Sequence, residues 1–102
     1  MKTLDQIRHQ LAAGEFELSR HALKRVVERN IRSDEVREAG AMAEEIERYP
    51  DDKYSPSVLL LGFAGTGRPI HLQVSLSETE EIKIITIYEP DPREWIDFRS
   101  RR

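Results

Sequence analysis

The feature that most constrains this chain is a change of hydrophobic period near its middle. Up to about residue 43, apolar residues recur at three- and four-residue spacing, the mark of helices with one buried stripe. From Val58 the pattern differs. Val58–Ala64 is a nearly continuous apolar block, and Ile70, Leu72, Val74 and Leu76 then alternate with His71, Gln73, Ser75 and Ser77. The block suits a buried strand, and the alternation suits a strand with one covered and one polar face. Helices succeeded by strands predict an α+β fold, with N-terminal helices packed on one face of a three- to four-stranded antiparallel sheet. A short C-terminal helix completes the expectation: Asp91 can cap it, Pro92 takes the first position and Glu94 completes a capping box ahead of Trp95.

Local signals divide the chain further. Thr3 is placed to cap a first helix whose Leu4, Ile7, Leu11 and Ala12 share a stripe, and Gly14 is its stop. Glu15-Phe16-Glu17-Leu18 reads as an extended lead-in, with Leu18 placed to pack on Leu23. Ser19 caps a second helix that turns Ala22, Leu23, Val26 and Val27 to the core, and Asn30 ends it in the left-handed region. Ser33 caps a third, with Asp34 and Glu35 in its first turn and Gly40 permitting close helix packing. Glu45–Tyr49 reads as a short strand, Gly65-Thr66-Gly67 as a hairpin connection, and Ile82–Tyr88 as a strand inside the sheet.

Composition narrows the class. The 102 residues are read as a single domain, 1–102; 38% of them are apolar and 34% charged, so a small core carries a large surface. There is no cysteine, and His9, His21 and His71 are scattered. No metal and no cofactor is therefore expected. Gly62-x-x-Gly65-x-Gly67 precedes a strand, unlike a phosphate loop. No apolar run approaches the ~20 residues that span a bilayer, and the start has no apolar signal core, so the expectation is a cytoplasmic protein with no membrane partner.

The net charge of −3 argues against a generally basic nucleic-acid binder, but charge is unevenly spread. Residues 35–52 carry seven acids against two bases, whereas Arg20, Lys24, Arg25, Arg29 and Arg32 face only Glu28. A cationic helix within an acidic chain suggests a surface that meets an anion. Chemistry on an anion would draw on groups that transfer protons and on cations that hold charge. His21 and His71 are the candidate proton-transfer groups, with Tyr88 as a further donor. Arg25, Arg29, Arg68 and Arg93 are the candidate anion-binding residues. Structural roles stand beside these: a hydrogen bond from His21 to a neighbour, ion pairs of Arg25 and Arg29 with Glu45 or Glu47, a solvated strand face around His71, and plain packing for Tyr88 and Trp95.

The run Ser19-x-His21-Ala22-x-x-Arg25-x-x-x-Arg29-x-Ile31, with Ser33-x-Glu35-Val36, Ile46-Glu47-x-Tyr49-Pro50, Gly67-Arg68-Pro69-Ile70-His71 and Ile85-Thr86-x-Tyr88-x-Pro90, resembles the bacterial family called domain of unknown function 4258, over about residues 16–98. The arrangement is also similar to small toxins of the RelE and BrnT type. That resemblance implies a metal-independent endoribonuclease with helices on an antiparallel sheet and a small antitoxin as partner, in which His21 with His71 or Tyr88 would transfer protons and the arginines would hold the phosphate. The other reading is a non-catalytic domain that uses its cationic helix to bind RNA or an acidic protein segment, or to form a homodimer.

Overall fold

A computed structural model describes residues 1–102. The elements run α1 (Leu4–Ala12), β1 (Phe16–Leu18), α2 (Arg20–Arg29), α3 (Ser33–Ala41), β2 (Glu44–Tyr49), β3 (Ser57–Phe63), β4 (Pro69–Ser75), β5 (Ile82–Tyr88), β6 (Trp95–Ile96) and β7 (Ser100–Arg101). No helix is long and apolar enough to cross a membrane.

The helices begin and end where local chemistry satisfies their backbone. The Thr3 hydroxyl accepts from the Gln6 amide at 3.2 Å, and the Gln6 side chain accepts from the Thr3 amide at 2.7 Å, a reciprocal cap. Ser19 accepts from the Ala22 amide at 3.0 Å and donates to the Ile85 carbonyl at 2.7 Å, so the start of α2 is fastened to β5. Asn30 closes α2 at φ 52°, in the left-handed region. In α3 the cap position falls to Arg32, whose amide donates to the Glu35 carboxylate at 3.0 Å.

The sheet departs from the three- to four-stranded antiparallel expectation. It has five strands in the order β1-β5-β4-β3-β2 and is mixed, because β1 runs parallel to β5, pairing Phe16 with Ile82 and Leu18 with Ile84. Residues 15–18 are too few to announce a strand by alternation, but as an edge partner three residues suffice. The C-terminal helix is also absent. The amides of Glu94 and Trp95 donate to the Asp91 carbonyl at 2.9 and 3.1 Å, so a turn starts as the capping pattern suggests. It then gives way to a small hairpin, β6 paired with β7. Asp97 (φ 51°) and Phe98 (φ 62°) are both left-handed, which a right-handed helix does not admit.

β3 is buried on both faces, and this sets the layers. Val58 and Leu60 point with Ile70, Leu72, Val74, Ile82, Ile84 and Ile87 into a core shared with Ile7, Leu11, Ala22, Val36 and Ala39 of the helices. Close approach is required here: a Cβ on Gly62 would lie 2.0 Å from the Ala39 carbonyl oxygen, and one on Gly40 would lie 2.4 Å from the Leu11 Cβ. On the opposite face Leu59 and Leu61, register partners of Gln73 and His71, are buried as well. The C-terminal hairpin covers that end of the sheet, setting Trp95 edge-on to His71 with ring centroids 4.5 Å apart. The face bearing His71 is therefore not solvated there, and the ring is fully buried.

Within α2 the apolar stripe is narrower than expected. Ala22 is buried and Val26 packs against the core, but Leu23 and Val27 face solvent, and Leu18 packs against the main core. The helix is tied at its C-terminal end as well as at its start. Arg68 donates to the Arg29 and Asn30 carbonyls at 2.7 and 3.1 Å, to buried Glu35 at 3.2 Å and to Glu89 at 2.7 Å. One guanidinium thus joins α2, α3, the end of β5 and the start of β4.

Three measurements test these contacts. Gly62→Ala should lose about 3 kcal/mol in denaturant unfolding, because the new methyl meets backbone that cannot rotate away. Arg68→Ala should cost a similar amount, about 3 kcal/mol, by leaving Glu35 buried without its cation; Glu35→Ala in the same chain should recover part of that loss. Burial lowers the pKa of His71, with the Phe98 carbonyl opposing that shift, while Glu47 and Arg101 are the charged groups facing it. The unfolded chain therefore binds a proton more readily than the native one below the ordinary histidine value of about 6.5. Stability should be full above that pH and fall as pH drops toward the native value, by at most ~1.4 kcal/mol per unit. Denaturation midpoints across this range should show that slope in the wild type and a flatter one in His71→Asn.

Candidate functional site

Two arrangements of polar side chains stand on the helix-free side of the sheet. The first is an open groove of about 940 Å³ between the start of α2 and the β2–β3 loop. β4 supplies its floor with Gln73 and Ser75, the alternation having turned them away from the core, and Thr86 adds to it from β5. The floor is ordered by hydrogen bonds: Ser55 to Ser75 at 2.7 Å, Gln73 to Asp52 and to Ser57 at 3.0 Å each, and Ser57 to Asp52 at 2.9 Å. Arg20, His21 and Tyr54, the last 78% exposed, line it as well. Lys83 also lines the groove and is paired with Glu17. Arg20 and His21 have no ion-pair partner in the chain, and both are exposed.

The second arrangement lies under and beside the hairpin. The His71 Nε2 is 2.7 Å from the Phe98 carbonyl and its Nδ1 is 3.1 Å from the Tyr88 hydroxyl. A carbonyl only accepts, so in the neutral ring Nε2 carries the proton and Nδ1 accepts from Tyr88. Both nitrogens are engaged. Next to it Arg101 holds Glu47 with two hydrogen bonds, of 2.9 and 3.2 Å, stacks over Trp95 at 4.7 Å, and Tyr49 donates to the same carboxylate. Partial burial pushes Glu47 up, but the Arg101 and Tyr49 hydrogen bonds outweigh it and hold the carboxyl below its usual range. Burial, then the Glu47 contact, pushes the Tyr49 phenol up to about 12, and burial also raises Tyr88. Each proton in this cluster is held where it stands near neutral pH, which suits a structural network that pins the hairpin.

The residues singled out from the sequence fall in different places. His71 and Tyr88 are brought together; His21 lines the groove and neither of the other two does. Arg25 lies 3.8 Å from Glu28, and Arg29 has no ion pair. Neither reaches Glu45 or Glu47, which are taken by Arg48 and Arg101. Arg68 spends its donors on the tie between α2, α3 and the sheet, and Arg93 is hydrogen-bonded to Asp91 at 2.9 and 3.2 Å. No three histidines, cysteines or carboxylates come together as a metal site would require. Sequence reasoning misses Tyr54 as a groove residue, reads Arg20 only as one cation of the anion-facing helix, and misses Tyr49 and Arg101 as members of the cluster. The polar side of β4 is readable in the alternation, but nothing local marks which loop will stand over it.

The family described as a domain of unknown function (DUF4258) matches residues 18–89. Neither the curated proteins nor the solved structures contain a match. The matched span runs from the end of β1 to just past β5, taking in α2, the helix layer over β3 and all of the long strands, and on that extent the chain belongs to the DUF4258 family.

Proposed function

We propose that this domain binds single-stranded RNA in the groove on the helix-free face of the sheet. One observation carries the reading: the groove gathers two exposed, unpaired nitrogen-bearing side chains, Arg20 and His21, an exposed tyrosine ring and a floor of hydroxyl and amide groups. A guanidinium can fork onto phosphate, a free aromatic face can stack a base, and serine, threonine and glutamine side chains can bond to 2′-hydroxyls and base edges. Screening limits exposed charges to about 8–10 Å, so the chain's distant acids weigh little, and of the acids at the groove Glu17 is paired with Lys83 and Asp52 is bonded to Gln73 and Ser57.

The endoribonuclease reading, with its likeness to RelE- and BrnT-type toxins, keeps one supporting observation. His21 stands open in the groove, where a proton-transfer group would be needed. The partners singled out for it do not join it there: His71 and Tyr88 are engaged with each other and with Phe98 under the hairpin. Binding without cleavage is therefore the better supported outcome.

Fluorescence anisotropy with a labelled single-stranded RNA should show binding that weakens as salt rises. Arg20→Glu should reduce affinity about tenfold, and Tyr54→Ala should remove about 1–3 kcal/mol if the ring stacks a base. The same RNA should stay intact on a denaturing gel. No binding at low salt, or affinity untouched by Arg20→Glu, discards the proposal. Cleavage that disappears in His21→Ala replaces it with the endoribonuclease reading.

A further inference from the structure

The outward side of α2 carries an apolar strip that the rest of the molecule leaves uncovered. Leu23 is 53% and Val27 70% exposed, and four-residue spacing sets one above the other on the helix. Toward the C-terminal end the strip opens into a shallow dent of about 470 Å³ lined by Val26, Val27, Asn30, Ile31 and Arg32. Arg20 and Lys24, three residues before Leu23 and Val27 respectively, flank the strip on one side, and Arg32 stands at its far end.

The apolar pair is a reason for something to dock, and the charges decide what. α2 bears Arg20, Lys24, Arg25 and Arg29 against one acid, Glu28, and that carboxylate is shared loosely between Lys24 at 3.9 Å and Arg25 at 3.8 Å. Two copies packed strip to strip would set one cationic helix against another, which like-charge repulsion opposes. A helix with acids flanking an apolar stripe meets both demands at once. Apolar residues at four-residue spacing would cover Leu23 and Val27, one of them would fill the dent, and flanking carboxylates would meet Arg20, Lys24 and Arg32.

We infer that α2 is the docking surface for an acidic amphipathic helix of a separate protein. Such docking does not depend on RNA binding, since the apolar strip lies outside the groove and Arg20 alone belongs to both surfaces.

The test uses the full chain and a synthetic helical peptide about five turns long, with leucines at four-residue spacing flanked by glutamates. Isothermal titration should show binding that salt weakens. A peptide of the same composition in scrambled order, and one with lysine in place of glutamate, should bind at least about tenfold more weakly. Leu23→Asp and Val27→Asp should each weaken the glutamate peptide by about tenfold, while far-UV circular dichroism and the melting temperature stay unchanged, because both side chains are exposed. Absence of binding by the glutamate peptide, equal binding by the scrambled one, or affinity undiminished by Leu23→Asp overturns the inference. So does a concentration-dependent dimer in sedimentation velocity that Leu23→Asp abolishes, since the strip would then belong to a second copy of this chain.

Discussion

The constraint on which this fold turns is that β3 is apolar on both faces. A strand of that kind is stable only between two covers. The helices supply one, and they come close enough to need Gly62 beneath the Ala39 carbonyl. The other cover has to come from the segment C-terminal to β5, and the chain meets it by bending through two left-handed residues into the β6–β7 hairpin. His71 is buried as a result, and its hydrogen bonds to Tyr88 and to the Phe98 carbonyl are how that buried ring is satisfied.

Where local chemistry decides, the residues announce the outcome. Thr3 and Ser19 cap their helices, Asn30 ends α2 in the left-handed region, Gly40 sits where two helices touch, and Ile82–Tyr88 lies inside the sheet. Where distant segments decide, they do not. Phe16–Leu18 becomes a strand only because β5 offers it a free edge. Asp91-Pro92-Arg93-Glu94 carries the chemistry of a helix start, yet docking of Trp95 on His71 draws the chain into a hairpin. Leu23 and Val27 fit a helical stripe by spacing, but tertiary packing buries only Ala22 and part of Val26 and leaves the other two in solvent.

The polar surfaces obey the same division. That β4 would present Gln73 and Ser75 together is implicit in its alternation. That Tyr54 would share a groove with Arg20 and His21 depends on a loop and a helix start converging from residues far apart in the chain. Arg68 reads as an exposed cation beside a turn, but its neighbours in space are the carbonyls at the end of α2 and a buried carboxylate, so it serves as an internal tie.

The two margins of the large sheet have a further consequence. On one side β1 offers only three residues, and on the other β2 bears Glu44, Glu45, Glu47 and Arg48 and shifts register between Glu45 and Glu47. Short, charged and irregular borders make poor templates for an incoming strand. The sheet is thereby guarded against stacking edge to edge into aggregates.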